Sequence, residues 1–423
     1  MVNRLANYLI IDWGFTRFKL WFLDENRKII KDSFSNIKDI SKNPQFYTKK
    51  DLDNIFAIIL KFIKELDLEG KDLVIFNSCQ MHGIAGLFAN SEPFFSTWND
   101  LPNKYKETSV KSINGNPSLI SMPNNKLSSD SKYLLFFSEF IKNNISNEPI
   151  KVKRLMTPFQ LIYNYYFEIN VPTSKYLWES TCAKESFLNE KIDKIKPFSE
   201  SSYKLKKSKF FKNVREIQLF PEIGDLQAST FSSINNSDIV FNWGTGSQII
   251  FNNSFSSKTE FYRDFPKLGN LPVISHIPCG RLINEYCSNT IYDFKDIIEE
   301  LKTLNYINFL NIIEKSKKDL LFFPGFDVNK FEYTNVPKIT IKDIITYSPS
   351  ELLCNWLNQY KIIVETSCPE SKNTSPIKVT ISGQLGGIST IAIKLLNKIF
   401  PNNFDFNLSE SELAKSLLEC AIY

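Results

Sequence analysis

The sequence predicts an α/β protein with two similar domains, and three stretches of the chain carry this prediction. Each stretch has an apolar run, a turn that contains glycine, and a second run; they are residues 8–24, 239–251 and 378–390. The first two have the pattern of β-hairpins, whereas the third has the pattern of a strand, a glycine-rich turn and the start of a helix. Two similar hairpins in one chain indicate that one type of domain was duplicated.

Length, composition and charge agree with this fold class and argue against two classes of binding partner, nucleic acids and membranes. The chain has 423 residues, enough for two or three domains, and its 43% hydrophobic and 23% charged content is ordinary for a globular protein. The formal net charge of +5 is small for this length and the lysines are scattered, so we expect no nucleic-acid partner. No run approaches the roughly 18 apolar residues of a membrane span, so we expect no membrane partner.

Cysteine and histidine usage points to a reduced, cytoplasmic protein. The seven cysteines are an odd number without a Cys-x-x-Cys pair, and no secretory signal follows the first residues. With only two histidines, a histidine-based metal centre is not expected. The sequence does not decide the oligomeric state, and a homodimer is one state that it allows.

The remaining elements follow from apolar periodicity. Helical spacing predicts a helix over residues 51–66, and a short apolar run predicts a strand over 73–77 that delivers residues 78–83 to its carboxyl end, where ligands lie in open α/β sheets. Thr157-Pro158 suits the start of a helix that we expect to reach Phe167. Similar patterns predict further helices over residues 133–145, 293–304, 308–316, 347–365, 389–399 and 409–420, and strands over 320–324 and 377–381. A boundary near residues 235–238 would give domains 1–236 and 237–423.

Four motifs supply candidate chemistry, and the first is Asp12-Trp13-Gly14 at the end of an apolar strand. A carboxylate there is costly unless it faces solvent, a cation or a hydrogen-bond network. Asp12 is therefore either an ordinary turn residue or the group that holds Mg²⁺ beside the phosphates of a nucleotide.

Two glycine-rich turns are candidates for phosphate contact. Residues 242–247 contain two glycines and two hydroxyls directly after a strand, and glycine lets backbone N–H groups approach a phosphate closely. Residues 382–387 hold three glycines between a strand and a helix, which suits adenosine or phosphate. The plainer alternatives are a common hairpin turn for the first and a tight strand-to-helix connection for the second.

The fourth motif is residues 222–229, in which Asp225 follows a glycine and opens a helix expected over 226–231. A carboxylate at a helix N-terminus can be a simple cap. The alternative is a general base directed at a substrate hydroxyl.

These motifs resemble those of the FGGY carbohydrate kinases, a family of the actin-like ATPase superfamily, over nearly the whole chain. Residues 78–83 resemble the family's Gln-Met-His-Gly segment, and residues 97–100 its Trp-Gln/Asn-Asp segment. Residues 224–228 match Gly-Asp-x-Gln-Ala, residues 244–248 match Gly-Thr-x-x-Gln, and residues 382–387 stand where the family has its adenosine loop.

The resemblance implies two ribonuclease-H-like domains with an active-site cleft between them, and a kinase that uses ATP and Mg²⁺ to phosphorylate a ketose such as sedoheptulose or xylulose. It makes Asp225 the catalytic base and Asp12 the magnesium residue. The implied nucleotide-binding residues are Gly14, Thr16, Gly244, Thr245, Gly246, Ser247, Gly383, Gln384, Gly386 and Gly387. The implied sugar-binding residues are Gln80, Met81, His82, Trp98, Asn99 and Asp100.

The chain departs from the family pattern in its first phosphate turn. Phe15 replaces the first hydroxyl residue of the usual Asp-x-Gly-Thr-Thr/Ser, and Arg17 stands where a small residue is common. This departure favours an alternative, a sugar- or nucleotide-binding regulator of the same fold that has lost turnover. A third hypothesis is an ATPase of the actin or chaperone type, which the Gln-Met-His-Gly and Trp-Asn-Asp segments disfavour.

Overall fold

In a computed structural model, the chain forms two compact units. The structure describes residues 6–14, 16–43, 46–80, 84–88, 90–97, 152–171, 202–205, 209–244, 246–253, 255, 262–316, 326–327, 332–333, 345–368, 376–383, 385, 387–400 and 403–409. In these parts the first unit runs to Ala228 and includes Asp264–Lys267, and the second begins at Ser229. The domains 1–236 and 237–423 and the cleft between them stay predictions, because compactness of contacts does not test independent folding.

The elements of the first unit form two sheets and several helices. Their bounds are β1 (Ala6–Trp13), β2 (Arg17–Leu23), β3 (Ile29–Asn36), α1 (Ile37–Ile40), β4 (Phe46–Tyr47), α2 (Lys49–Lys64), β5 (Asp72–Cys79), β6 (Ile84–Phe88), β7 (Pro93–Ser96), β8 (Val152–Met156), α3 (Pro158–Leu161), β9 (Tyr203–Leu205), β10 (Glu216–Leu219) and β11 (Ile223–Gly224). The larger sheet has the order β3-β2-β1-β5-β10-β9 with β11 beside β5, and the smaller one the order β4-β7-β6-β8. Helix α4 (Asp225–Asn235) continues into the second unit.

The second unit has one large sheet, one small hairpin and several helices. Its elements are β12 (Ile239–Trp243), β13 (Gly246–Phe251), β14 (Tyr262–Phe265), β15 (Gly269–Pro278), α5 (Gly280–Asn289), α6 (Phe294–Thr303), α7 (Tyr306–Ser316), β16 (Phe326–Asp327), β17 (Glu332–Tyr333), α8 (Pro349–Ser367), β18 (Ile377–Ser382), α9 (Ile388–Ile399) and β19 (Phe404–Leu408). The large sheet has the order β14-β15-β13-β12-β18-β19.

The two large sheets share one topology. In each, three antiparallel strands are followed by two that run parallel to the first, and the spatial order is third, second, first, fourth, fifth: β3-β2-β1-β5-β10 and β15-β13-β12-β18-β19. This is the ribonuclease-H-like arrangement. The predicted α/β class with two domains of this type is therefore confirmed, and both predicted hairpins are present as β1–β2 and β12–β13.

Local sequence explains where the best-defined elements begin and end. Strand β1 is buried along its whole length, as expected for a near-continuous apolar run in a central strand. Helix α2 begins two residues before its predicted start, because Thr48 and Asp51 form a capping box: the Thr48 N–H donates to Asp51 Oδ2 at 2.9 Å. Helix α3 begins at Pro158 as predicted, but it continues as a π-helical turn over Ile162–Tyr166 and not as a regular helix.

Each unit has its own core, and a buried tryptophan lies in each. In the first unit the Trp13 ring packs edge-on against Phe95 with ring centroids 4.7 Å apart. In the second unit the Trp243 ring contacts Trp356, again at 4.7 Å. The predicted helix over 133–145 and strand over 320–324 lie outside the described residues, as does nearly all of the helix predicted over 409–420.

Two further properties concern the described residues. Five cysteines there are free thiols: Cys79, Cys279, Cys287, Cys354 and Cys368. Within the same parts of the chain, no helix combines the length and the hydropathy that crossing a membrane requires.

Candidate active site

Three strand ends meet at one level of the first unit's sheet. Trp13 of β1 is paired with Cys79 of β5, and Cys79 is paired on its other side with Gly224 of β11. These strands are parallel, so their carboxyl ends lie at one edge of the sheet, where ligands bind in α/β folds. The residues that follow the three strands, Gly14, Gln80 and Asp225, therefore emerge side by side.

Asp12 is a buried carboxylate whose two oxygens both have partners. Its Oδ2 accepts a bond from Lys19 Nζ at 3.0 Å, and its Oδ1 accepts one from the Ser78 hydroxyl at 3.0 Å. Strand register explains both contacts, because Lys19 is opposite Asp12 in β2 and Ser78 is opposite it in β5. Sequence analysis assigned no role to Lys19 or Ser78, since only pairing across strands brings them to Asp12.

Asp225 is the first residue of α4 and is half-buried. Its Oδ1 accepts the N–H of Leu226 at 2.9 Å, so it does interact with the start of the helix. The negative charges of Glu222, Asp225 and Asp12 all raise the pKa of the Cys79 thiol, after burial, which is the largest cause. The predicted base Asp225, the predicted magnesium residue Asp12 and Glu222 thus all lie close enough to influence the same buried cysteine.

Glu222 is a candidate that sequence analysis did not assign. It is 5% exposed, and its Oε1 accepts the backbone N–H of Phe159 at 3.2 Å, near the N-terminus of α3. Burial raises the pKa of Glu222 to about 7, against the opposing effect of hydrogen bonds from Thr157 and Phe159. A glutamate directly after a proline and three residues before Asp225 is the only sequence signal that could have identified it.

Gln80 is held by its backbone, whereas its side chain has no hydrogen-bond partner in the part of the chain that the structure describes. Its N–H donates to the carbonyl of Trp13 at 3.0 Å. Its side chain is 1% exposed, and neither amide atom has a hydrogen-bond partner among the described residues. Because an unpaired buried polar group costs roughly 1–3 kcal/mol, such an amide suggests a group that a ligand satisfies. The other predicted sugar-binding residues lie outside the described residues: Met81, His82, Trp98, Asn99 and Asp100.

The predicted phosphate turn of the second unit is closed by backbone bonds. The N–H of Gly244 donates to the carbonyl of Gly246 at 3.1 Å. Gly246 is exposed, whereas the Ser247 side chain is fully buried and its hydroxyl has no partner among the described residues. Ser247 is opposite the core residue Trp243 in the β12–β13 register, so the two side chains lie on the same face of the sheet. Thr245 lies outside the described residues.

The corresponding turn of the first unit is also held by backbone hydrogen bonds. The Gly14 N–H donates to the carbonyl of Arg17 at 3.0 Å, and the carbonyl of Thr16 accepts the N–H of Ile37 at 3.0 Å. The Thr16 side chain is exposed, as a phosphate contact requires. Phe15 lies outside the described residues.

The third turn approaches the second so closely that only glycine fits. Gly383 has φ +87°, and a Cβ at this position would lie 2.2 Å from the carbonyl oxygen of Trp243. Gly280, which sequence analysis did not assign, opens α5 and donates its N–H to the carbonyl of Gly244 at 3.0 Å. A Cβ on Gly280 would lie 2.7 Å from that same oxygen. Gly387, also at positive φ, is the N-cap of α9. Gln384 and Gly386 lie outside the described residues.

The donor set suits a magnesium ion that is shared with phosphates better than a metal held by protein alone. Among the described residues, no group of three or more His, Cys, Asp or Glu side chains is arranged to hold a metal. Mg²⁺ is commonly held by one or two carboxylates, water and substrate phosphates. Asp12 fits that pattern, although Lys19 already neutralises its charge.

Comparison with known proteins places the fold. No family model and no curated protein matches the sequence. The chain is similar in structure to a ligand-bound xylulose kinase from Lactobacillus acidophilus, with 15% identity, a TM-score of 0.64, and coverage of 99% of this chain and 89% of that one. A gluconate kinase from the same organism matches with 14% identity, a TM-score of 0.62 and coverage of 99% and 89%. Plasmodium falciparum glycerol kinase with ADP matches with 13% identity, a TM-score of 0.59 and coverage of 99% and 88%.

Proposed function

We propose that this chain, which has the fold of the FGGY carbohydrate kinases, transfers a phosphoryl group from ATP to a hydroxyl of a free ketose with five to seven carbons. One observation carries the proposal. Asp225 and Gln80 emerge from adjacent strand ends of the first unit, where Gln80 presents a buried amide without a partner among the described residues. The carboxylate is suited to accept a proton and the amide to bind a neighbouring hydroxyl.

The proposed mechanism assigns proton transfer to the first unit. Asp225 accepts the proton of the attacking hydroxyl as the bond to phosphorus forms. Asp12 would hold Mg²⁺, which neutralises phosphate charge when bound. Without the metal, the ammonium of Lys19 compensates the negative charge of Asp12. Phosphoryl transfer needs positioning and charge neutralisation more than covalent chemistry, so these groups suffice.

The second unit would hold the nucleotide. Gly244 and Gly246 leave the backbone of the hairpin turn accessible for the β- and γ-phosphates. Gly383 and Gly387 would lie against the adenosine, and Thr16 of the first unit would add a hydroxyl donor to the phosphates. Gly387 is the N-cap of helix α9, so the helix dipole favours an anionic group nearby.

The experiment is an ADP-release screen with the wild-type protein and the variant Asp225→Asn over pentuloses, heptuloses, hexuloses, aldoses and polyols. We expect ketose-dependent ADP release in the wild type and a loss of about 10²- to 10⁴-fold in Asp225→Asn, because the asparagine oxygen can still cap α4 but cannot take a proton. ATP affinity should stay near the wild-type value. Asp293→Asn, which changes the N-cap of α6 in the second unit, is the matched control and should keep full activity.

The alternative function is a sugar- or nucleotide-binding regulator, and Phe15 in the first phosphate turn is the observation that favours it. Wild-type protein that is stabilised by a ketose but releases no ADP would support the regulator. ADP release that is independent of every sugar would support an ATPase instead.

A further inference from the structure

We propose that Glu222 is a positioning residue for the predicted base: it fastens the segment before Asp225 to the start of α3 and thereby fixes where the Asp225 carboxylate lies. This inference rests on the proposed function, and it assigns a role to a residue that neither the motifs nor the family resemblance singled out. Glu222 acts through the backbone that it holds and not by contact with a substrate.

The first observation is an irregularity in the strand that leads to the base. Leu219 of β10 is opposite Ile75 of β5. Ile223 of β11 is opposite Ser78, so four steps along this segment match three steps along β5. One residue is therefore extra, as in a β-bulge, and β11, which restores the pairing, has two residues. Bulges next to active sites redirect side chains, and so short a strand leaves the position of Asp225 dependent on further contacts.

The second observation is that Glu222 lies in this irregular segment and contacts the start of α3. Its Oε1 accepts the backbone N–H of Phe159 at 3.2 Å, and the Thr157 hydroxyl donates a hydrogen bond to the same carboxyl group. Pro158 has no N–H, so Phe159 is the first residue of α3 that can donate one, and the first N–H groups of a helix have no partner within it. The buried carboxyl group supplies that partner. We call this contact between Glu222 and the start of α3 the tether.

The third observation is that α3 is itself fixed to the sheet. Gln160 Nε2 donates to the carbonyl of Val171 at 3.1 Å. In the π-helical turn that follows, the Tyr163 hydroxyl donates to Asn77 Oδ1 of β5 at 3.0 Å. Strand β5 is thus connected to the segment of the base by two routes, directly through β11 and indirectly through α3 and the tether.

The tether ends close to the base. Two residues separate Glu222 from Asp225, and both carboxyl groups lie close enough to Cys79, at the end of β5, to influence its thiol. A general base must lie within about 2.6–3.2 Å of the atom whose proton it takes. A displacement of about 1 Å can cost 10²-fold in rate, so a contact that holds the segment should affect the chemical step.

The test uses two variants of Glu222 in the full chain. Glu222→Gln keeps an oxygen that can accept the Phe159 N–H, whereas Glu222→Ala removes the acceptor. Ile59→Ala, which removes packing from α2 in the core of the same unit, is the control for lost stability. Thr157→Val, which removes the other hydrogen bond to the carboxyl group, serves as a milder second variant. All assays are run at a temperature at which the melting curves show the protein to be folded.

Steady-state ADP release with the best ketose gives the first readout. In Glu222→Ala, kcat should fall by about tenfold to 10²-fold, whereas the KM values for ATP and ketose should change little, because a displaced base affects the step after binding. Thr157→Val should lower kcat in the same direction and by less. Glu222→Gln and Ile59→Ala should keep kcat near the wild-type value, although Ile59→Ala melts at a lower temperature.

Amide hydrogen exchange followed by mass spectrometry gives a second readout that does not depend on activity. In Glu222→Ala, peptides that cover residues 157–162 and 222–228 should exchange faster than in the wild type, because both ends of the tether are released. Peptides of the second unit beyond α4 should exchange as in the wild type. Glu222→Gln should show the wild-type pattern throughout.

Several results would overturn the inference. One is an unchanged kcat in Glu222→Ala or, if that variant does not fold, in Thr157→Val. Another is a kcat in Glu222→Gln as low as in Glu222→Ala, since the charge and not the tether would then be required. A third is an equal loss of kcat in Ile59→Ala, which would show a general effect of stability. Unchanged exchange in Glu222→Ala would refute the tether alone. A wild type without ketose-dependent ADP release defeats the proposed function and the inference with it, before any variant is made.

Discussion

At the scale of single residues, Asp12 can be judged against its counterpart in the second unit. Asn242 occupies the same position, one residue before the Trp-Gly that ends the first strand. Its Nδ2 donates to Gln248 Oε1 at 3.3 Å, and the Ser382 hydroxyl lies 3.4 Å from its Oδ1. An amide with a neutral partner therefore fills this place in the fold without a carboxylate.

Two of the same three positions carry a charge in the first unit. There the strand partners of Asp12 are Lys19 and Ser78, at the positions that Gln248 and Ser382 occupy in the second unit. Since the fold accepts the neutral set, the ionised set in the first unit is better explained by chemistry than by stability. A buried ion pair is in general weak support for stability.

We predict that Asp12→Asn keeps the fold but weakens both turnover and the dependence on Mg²⁺. The melting temperature should stay within a few degrees of the wild type, because Asn242 shows that the site tolerates an amide. Turnover should fall at least tenfold and the half-saturating Mg²⁺ concentration should rise, as measured by ADP release over a magnesium titration. Asp72→Asn, which breaks the ion pair with Arg215, is the control; an unchanged titration in Asp12→Asn would remove Asp12 from the site.

A second residue-scale prediction concerns Glu222. Because burial raises its folded-state pKa from 4.5 to about 7, its protonated form stabilises the fold. This contribution is complete below about pH 4.5 and is lost as the pH rises to about 7, an effect of up to ~3 kcal/mol. Glu222→Gln should remove this dependence and make the variant more stable than the wild type at pH 8.

Urea unfolding at pH 5.5 and pH 8 measures this difference. Glu216→Gln, in the exposed part of β10, is the control and should keep the wild-type dependence on pH. The glutamine oxygen can still accept the Phe159 N–H, so Glu222→Gln should fold normally. The prediction would be contradicted if the free energy of unfolding fell by the same amount from pH 5.5 to pH 8 in the wild type and in Glu222→Gln.

At the scale of elements, the connection after β18 depends on Gly383. We predict that Gly383→Ala lowers the free energy of unfolding by about 3 kcal/mol or more, because the new Cβ meets the Trp243 carbonyl in addition to the strained φ. Gly70→Ala is the matched control: Gly70 has φ +67° and open space around it, so the cost should be only about 1 kcal/mol.

The same pair of variants separates fold from nucleotide binding. Thermal melting compares stability, and titration with ATP compares affinity. Gly383→Ala should also weaken ATP binding, because β18 must shift relative to β12 at the predicted nucleotide turns. Equal melting temperatures for the two variants would show that the close approach does not constrain this turn.

The longer apolar strands could be predicted from the sequence, whereas the shortest strands and three site residues could not. Strands β1, β5, β12 and β18 were predicted because each is an apolar run long enough to register, and the predicted hairpins followed. Strands β4, β7 and β11 were missed because no period can be read over their two to four residues. Lys19, Ser78 and Glu222 were missed for a different reason: their roles arise from contacts across strands and loops that have no fixed spacing along the chain.

At the scale of the whole molecule, two units of one topology have diverged in chemistry. The first unit places Asp12, Glu222 and Asp225 around Cys79. The second unit places Gly244, Gly280 and Gly383 where backbones approach so closely that a side chain would clash at two of them. Carboxylates suit an acceptor hydroxyl and glycine backbone suits phosphate, so this difference between the units agrees with the proposed division between sugar and nucleotide.

The last prediction is the substrate class. The family resemblance predicts four polar side chains for a sugar besides Asp225, namely Gln80, His82, Asn99 and Asp100, which is more than the three hydroxyls of glycerol would satisfy. Each buried group left unpaired costs roughly 1–3 kcal/mol, so a ketose of five to seven carbons should exceed glycerol in kcat/KM by at least tenfold. The Gly-Asp-Leu-Gln and Gly-Thr-x-x-Gln segments point in the same direction, since they resemble those of sedoheptulokinases. ADP release measured with D-sedoheptulose, D-xylulose, D-ribulose and glycerol decides the matter, and turnover of glycerol equal to that of the best ketose would refute the assignment.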